Sequence, residues 1–142
     1  MSIIKKSSAR YQSLGKEGKG YVSTESGVLS DQPYGFNTRF EGKAGTNPEE
    51  LIAAAHASCF TMALSFALES AGYKEGELET ECAISLDKEG EGFKVSQSSL
   101  TLKASIEGIS ETEFSKIAEK AKTGCPISKL LDAEITLNYT LS

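Results

Sequence analysis

Residues 47–70 read NPEELIAAAHASCFTMALSFALES, and this stretch decides the fold. Asn47 is a typical helix N-cap, and Pro48 suits the first helical position that follows it. The two glutamates after the proline suit the positive end of the helix dipole. Ala71-Gly72 then provides a glycine stop, so we predict one continuous helix over about 47–71, about 35 Å long.

The apolar run 51–68 within this helix approaches the length of a membrane span. However, many of its apolar residues are alanine, and it carries the polar side chains of His56, Ser58, Thr61 and Ser65. We therefore expect the buried central helix of a soluble protein and no association with a membrane.

The segments on either side of the helix have the composition of strands and turns. Residues 10–44 are rich in Gly, Ser, Thr and aromatic residues, which favours short strands rather than helices. From residue 78 onward, the apolar pattern predicts a β-hairpin, two helices and a final strand. We therefore predict a single α+β domain spanning 1–142, in which a strand-rich segment (1–46) precedes the central helix and a ββααβ segment (78–142) follows it.

The size and charge of the chain exclude several functional classes. Its 142 residues fit one domain. The formal net charge of −5 argues against nucleic-acid binding, which requires a basic surface. Three cysteines do not make a disulfide framework, and the opening MSIIKKSSAR lacks the apolar core of a signal peptide. We expect a cytoplasmic protein.

The three cysteines differ in their predicted settings. Cys82 lies on the apolar face of a predicted strand, where core packing is expected. Cys59 lies in the middle of the helix among alanines, where packing is again the simplest interpretation. Cys125 precedes Pro126 at a helix start, where backbone N–H groups stabilise a thiolate. Position alone leaves Cys125 open between a structural residue and a reactive thiol.

The only histidine, His56, precedes Cys59 by three residues, so both side chains project to roughly one side of the helix. This spacing allows a Cys–His pair for acyl transfer, or two ligands of a metal site with Cys125 as the third. A hydrogen-bonded packing histidine is the third interpretation, and the spacing does not choose among them.

Two longer motifs carry a resemblance to a known family. They are PYGFNTRFEGKAGTNPEELIAAAHASCFTMALS at 33–65 and KAKTGCPISKLLDAEITLNYTL at 120–141. With STESGVL at 23–29, the chain resembles the OsmC/Ohr family of organic hydroperoxide reductases over essentially its whole length, and the OsmC branch most. The resemblance implies an OsmC-like α+β fold, with antiparallel sheets around the central helix in an intertwined homodimer that has two active sites.

The resemblance also implies roles for individual residues. Cys59 matches the family's peroxidatic cysteine and Cys125 its resolving cysteine. Arg39 and Glu49 match the family's arginine and glutamate in NTRFEG and NPEE. The implied activity is reduction of organic hydroperoxides, and more weakly of hydrogen peroxide, in oxidative and osmotic stress defence. It needs no metal or other cofactor.

Thiolate chemistry accounts for these residue types. A free thiol with a pKa of about 8.5 is mostly protonated at neutral pH, and a nearby guanidinium favours the thiolate. Once peroxide has oxidised Cys59 to a sulfenic acid, Cys125 condenses with it, and an external dithiol must reduce the disulfide. The resemblance suggests a lipoylated protein as that reductant.

The side chains expected to line an apolar substrate pocket are Phe36, Leu51, Phe60 and Met62. The alternative function is a cysteine-based redox sensor or carrier of the same fold.

The spacing of Glu49 and Cys59 predicts how the sites are assembled. Ten residues separate them by about 15 Å along a continuous helix, too far for Glu49 to support an arginine at its own Cys59. Two antiparallel helices crossing at the alanines 53–55 would place Glu49 of one chain beside Cys59 of the other. We therefore expect an obligate homodimer with shared sites, unless the helix breaks or Arg39 bridges the gap.

Overall fold

The computed structural model describes all 142 residues. They form two compact units, Met1–Leu51 and Ile52–Ser142. The first unit contains three strands and a short helix: β1 (Ser7–Gln12), β2 (Lys19–Thr24), β3 (Gln32–Tyr34) and α1 (Phe36–Phe40). The long helix α2 (Pro48–Ser70) begins in the first unit and continues in the second. The remaining elements are β4 (Glu77–Glu89), β5 (Gly92–Ser105), α3 (Glu111–Gly124), α4 (Pro126–Leu130) and β6 (Glu134–Leu141).

The first unit is an antiparallel sheet in the order β1-β2-β3, followed by α1. The expectation that this segment contains no helix was wrong at α1. Here the Thr38 hydroxyl accepts from the Gly35 N–H at 2.8 Å and donates to the Gly35 carbonyl at 3.0 Å. This side-chain cap closes a single turn that composition alone does not reveal.

The helix α2 forms where the sequence predicts it. The Asn47 side chain accepts from the backbone N–H of Glu50 at 2.8 Å, which is the expected N-cap. The helix is followed by Gly72 with φ of 102°, a left-handed conformation that glycine adopts without strain. No break interrupts the helix between Pro48 and Ser70.

Only one face of α2 is buried within the chain. Its buried residues recur at every fourth position: His56, Phe60, Leu64 and Leu68. By contrast, Met62 and Phe66 are 56% and 63% exposed. Within a single chain, the expected burial of the central helix therefore holds for this one face. By length and apolar composition alone α2 could span a membrane, a property that it shares with the core helices of soluble proteins.

The second unit contains a sheet in the order β4-β5-β6. The hairpin β4-β5 is antiparallel and turns at Gly90, whose φ is 59°. The strand β6 pairs with β5 in parallel, so the sheet is mixed and not wholly antiparallel as expected. The crossover α3-α4 returns the chain to the starting end of β5, and this connection makes the parallel pairing possible.

The core of the second unit joins α2 and α3 to one face of this sheet. Its fully buried members include Phe60 and Leu64 of α2, Leu100 and Leu102 of β5, and Phe114 of α3. Cys82 of β4 packs against the same cluster, which confirms its predicted place on the apolar face of a strand. The α+β fold class predicted from the sequence is confirmed.

Candidate active site

The second unit brings two of the predicted site residues, Cys59 and Cys125, together. Cys59 lies in the middle of α2 and is half-buried. Cys125 is fully buried and occupies the single extended residue between α3 and α4. Both cysteines are free, and each thiol shifts the pKa of the other, so the two side chains are neighbours. The arrangement is a pair of neighbouring free thiols.

The pKa values of the two thiols are shifted in opposite directions within the chain. Burial raises the pKa of Cys59, and the hydrogen bond with Cys125 raises it further, against a lowering contribution from the Ile127 backbone. Burial also raises the pKa of Cys125, but hydrogen bonds from Cys59, Ser128 and the backbone outweigh this and lower the pKa overall. Within one chain, burial therefore favours the thiol form of Cys59 over its thiolate.

Both ring nitrogens of His56 are engaged by serines. Nδ1 lies 2.6 Å from the Ser98 hydroxyl of β5, and Nε2 lies 2.8 Å from the Ser128 hydroxyl of α4. The side chain is fully buried, and this burial lowers the pKa of His56, so the ring is neutral. Of the three interpretations of His56, the hydrogen-bonded packing residue is the one that the structure supports. No group of three His, Cys, Asp or Glu side chains is arranged to hold a metal ion.

The first unit holds the other two predicted site residues, Arg39 and Glu49. Arg39 Nε donates to Glu49 Oε1 at 2.8 Å, and Arg39 Nη2 donates to Glu49 Oε2 at 2.6 Å. These hydrogen bonds raise the pKa of Arg39, so its charge is permanent. The bidentate pair uses only two of the five N–H groups of the guanidinium and fixes its plane.

A cavity of about 380 Å³ lies beside Arg39 in the first unit. The side chains that dominate its wall are aromatic or basic: Tyr11, Lys16, Tyr34, Phe36, Arg39 and Phe40. Of the residues expected to line an apolar pocket, Phe36 does line this cavity. The expectation for Phe60 was wrong, because its ring is fully buried in the core of the second unit.

Ser98 and Ser128 are not among the residues that the sequence predicts as partners of His56. A signal was present for Ser98, because it occupies an inward position of β5 in the same alternation as Leu100 and Leu102. A small polar residue at such a position requires a hydrogen-bonding partner. Ser128 carries no comparable signal, because α4 is a single short helix without a clear buried period.

Comparison with known proteins agrees with this architecture. The profile of the OsmC-like protein family matches residues 40–140. The chain is 54% identical over 141 residues to peroxiredoxin OsmC of Escherichia coli strain K12, covering 99% of both proteins. It superimposes on the crystal structure of the organic hydroperoxide resistance protein OhrB of Bacillus subtilis with a TM-score of 0.70 and 28% identity, covering 99% of this chain and 98% of that one. An OsmC-like protein of Vibrio cholerae, at 14% identity and a TM-score of 0.77 over 98% of this chain and all of the other, shares the fold. The chain therefore belongs to the OsmC family.

Proposed function

We propose that the protein is a thiol-dependent peroxidase that reduces organic hydroperoxides to alcohols, and hydrogen peroxide more weakly, in oxidative and osmotic stress defence. The observation that carries this proposal is the placement of Cys59 and Cys125 as neighbouring free thiols in the second unit. The names of the relatives, peroxiredoxin OsmC and organic hydroperoxide resistance protein, support the same chemistry.

The reaction proceeds in two steps at the cysteine pair. The Cys59 thiolate attacks the terminal oxygen of the hydroperoxide, the O–O bond breaks, and Cys59 becomes a sulfenic acid while the alkoxide takes up a proton. The Cys125 thiolate then attacks the Cys59 sulfur. The S–S bond forms as the S–O bond breaks, and hydroxide leaves and is protonated to water. Because the two thiols are neighbours, the second step requires little movement.

An external dithiol completes the cycle by reducing the Cys59–Cys125 disulfide through a mixed disulfide. A lipoylated protein is a reductant of this class, since lipoyl groups carry two thiols. We propose a cytoplasmic location, where a reducing environment sustains this exchange.

Activation of Cys59 requires a positive charge that stabilises the thiolate, and no cation is among the groups that shift its pKa. Its pKa is raised in the single chain, so without help Cys59 would remain a thiol at neutral pH. We assign this role to the Arg39 guanidinium, oriented by Glu49. A guanidinium beside the sulfur stabilises the thiolate and also the negative charge that develops on the leaving oxygen.

We further propose that the arginine reaches Cys59 across the interface of a homodimer. The helix α2 is unbroken between Glu49 and Cys59, so about 15 Å of helix separates the two residues within one chain. One face of α2 is uncovered and would be costly to leave in water; its exposed members are Ala54, Ser58, Met62, Ser65 and Phe66. The small residues at its beginning allow a second copy of the helix to approach closely. A second copy of this chain therefore suits that face.

The aromatic cavity beside Arg39 supports a preference for organic substrates. Its volume of about 380 Å³ suits a small organic molecule, and four of the side chains that line it are aromatic. An alkyl or aryl group would displace water from these rings, whereas hydrogen peroxide has no apolar group to bury. The Cys–His hydrolase alternative receives no support, because both ring nitrogens of His56 are engaged by serines.

Peroxide consumption in the presence of a dithiol tests the proposal and separates it from the sensor alternative. With excess dithiol, the peroxidase should consume many equivalents of an organic hydroperoxide per chain, and more slowly of hydrogen peroxide. Consumption that stops after one equivalent would favour a sensor or carrier of the same fold. Turnover that survives Cys59→Ser would overturn the proposal.

A further inference from the structure

A buried chain of hydrogen bonds connects the third cysteine to the reactive pair. Cys82 Sγ of β4 lies 3.2 Å from the Ser98 hydroxyl, which lies 2.6 Å from His56 Nδ1. On the other side of the ring, His56 Nε2 lies 2.8 Å from the Ser128 hydroxyl. Ser128 lies in the first turn of α4, three residues after Cys125, and its hydroxyl lowers the pKa of the Cys125 thiol. No buried side-chain nitrogen or oxygen lacks a hydrogen-bond partner, so every ring nitrogen and hydroxyl in this series of hydrogen bonds is paired.

The two tautomers of His56 give two classes of proton arrangement along this series of hydrogen bonds. A neutral imidazole has one N–H and one acceptor nitrogen, so the serine beside the acceptor nitrogen must donate its only O–H to the ring and cannot donate to a cysteine. In the first arrangement His56 Nε2–H donates to Ser128, and the Ser128 hydroxyl is free to donate to Cys125. In the second, His56 Nδ1–H donates to Ser98, the Ser128 hydroxyl donates to Nε2, and Cys125 must be a thiol that donates to Ser128.

The first arrangement is the one that favours a thiolate at Cys125. A thiolate has no proton to donate, and it is stabilised by each hydrogen bond that it accepts. With the Nε2–H tautomer, the Ser98 hydroxyl donates to Nδ1, and the Cys82 thiol donates to Ser98. All four contacts of the chain are then satisfied, with donors running from Cys82 to Cys125.

We propose that His56 is a positioning residue for Cys125, holding the Ser128 hydroxyl as a donor to the Cys125 sulfur by donating its own Nε2–H to Ser128. The consequence for catalysis rests on the proposed function, in which the Cys125 thiolate attacks the sulfenic acid of Cys59. Once Cys59 is oxidised, its S–H no longer stabilises that thiolate. The Ser128 hydroxyl remains, and His56 keeps it correctly oriented at the moment when Cys125 must react.

The titratable groups joined to this chain are few. Cys82 faces His56 through Ser98 from β4, and Cys125 faces it through Ser128 from the start of α4. Cys59 of α2 is a neighbour of Cys125. The tautomer of His56 is therefore coupled to the protonation of Cys125 through one hydroxyl.

Titration of Cys125 as the only thiol tests this proposal without any peroxide. The parent chain carries Cys59→Ser and Cys82→Ser, which keep a hydroxyl donor at both positions, and thiolate formation is followed by ultraviolet absorbance. Ser128→Ala should lower the thiolate-to-thiol ratio about tenfold at a given pH, which is one pKa unit. Ser128→Thr keeps the hydroxyl and should restore the parent value.

Variants at His56 distinguish positioning from packing. His56→Gln keeps an N–H donor toward Ser128 and should hold the Cys125 pKa near the parent value, whereas His56→Leu should raise it. Ser99→Ala removes a hydroxyl of β5 that bonds to Thr136 instead of His56, and it is the matched control. An unchanged Cys125 pKa in Ser128→Ala, or an equal rise in Ser128→Ala and Ser128→Thr, would overturn the proposal.

Nuclear magnetic resonance gives a second readout on chains that carry no substitution at His56. Because this is the only histidine, its two ring nitrogens can be assigned without ambiguity. We expect the Nε2–H tautomer while Cys125 is a thiolate, and a change toward Nδ1–H with the same midpoint as the thiol titration. A tautomer ratio of His56 that stays constant while Cys125 titrates would contradict the proposal. So would the same change in tautomer ratio in Cys125→Ala. Neither measurement depends on peroxidase activity, so a failure of the proposed function would be seen separately.

Discussion

Arg39 and Glu49 form a two-point ion pair, with Nε to Oε1 at 2.8 Å and Nη2 to Oε2 at 2.6 Å. The pair joins α1 to the first turn of α2, and the Glu49 side chain is only 13% exposed. This geometry fixes the plane of the guanidinium before any substrate binds, which lowers the cost of placing its charge beside a developing anion.

The ion pair predicts that charge alone at position 39 is insufficient. Arg39→Lys keeps the charge but loses the planar guanidinium that forms two hydrogen bonds to Glu49. Glu49→Gln weakens these hydrogen bonds by removing the charge of the acceptor. We expect kcat/KM for an organic hydroperoxide to fall about ten- to hundredfold in each, since hydrogen bonds to charged groups contribute about 1.5–3 kcal/mol. Glu50→Gln is the matched control, because Glu50 bonds to Thr46 instead. Full activity in Arg39→Lys would remove Arg39 from the mechanism.

The proximity of the two thiols predicts a specific defect for Cys125→Ser. A hydroxyl at this position cannot trap the sulfenic acid of Cys59, so the enzyme should complete one turnover and then stop. With excess peroxide, Cys59 should progress to sulfinic acid, seen by mass spectrometry as the addition of two oxygen atoms. Cys59→Ser should give no turnover at all. Repeated turnover by Cys125→Ser with a dithiol would show that Cys125 does not resolve the intermediate.

The length of helix between Glu49 and Cys59 predicts complementation between defective chains. Co-expressed Cys59→Ser and Glu49→Ala chains should form heterodimers in which one site carries both defects and the other carries neither. Random pairing of equal amounts should then recover about a quarter of the wild-type activity. If each site is built within one chain, every site remains defective and the mixture stays as inactive as its parents.

The buried, neutral His56 predicts that stability falls in mildly acidic solution. Burial lowers its pKa in the folded chain below the ordinary histidine value of about 6.5 that holds in the unfolded chain. As pH falls through this unfolded value toward the folded one, the unfolded chain binds a proton that the folded chain does not, so unfolding becomes easier. The urea midpoint should be lower at about pH 5.5 than at about pH 7.5, and the difference should shrink in His56→Gln. An equal difference in both chains would show that His56 does not cause it.

The features of the fold that the sequence predicts are those specified by neighbouring residues. The start of α2 follows from Asn47 and Pro48, and its end from Gly72, all within one turn of the helix ends. The hairpin β4-β5 follows from alternation in two adjacent runs. The short helix α1 escaped prediction because one Thr38 hydroxyl caps it within a glycine-rich segment.

Other features depend on contacts between residues far apart in the chain. The parallel pairing of β6 with β5 is set by where the crossover α3-α4 returns the chain, which no local pattern encodes. The partners of His56 lie 42 and 72 residues away, in β5 and α4. Spacing along the helix suggested a pair with Cys59. In the folded chain, both ring nitrogens instead form hydrogen bonds with serines from other elements.

The central claim is that Cys59 and Cys125 are one redox pair, and counting thiols tests it most directly. The reduced chain has three thiols, and one equivalent of an organic hydroperoxide should leave one, Cys82. Peptide mapping should locate a disulfide between Cys59 and Cys125, and a dithiol should restore all three thiols. Cys82→Ser should lose the same two. Loss of a single thiol, or a disulfide that contains Cys82, would contradict the account.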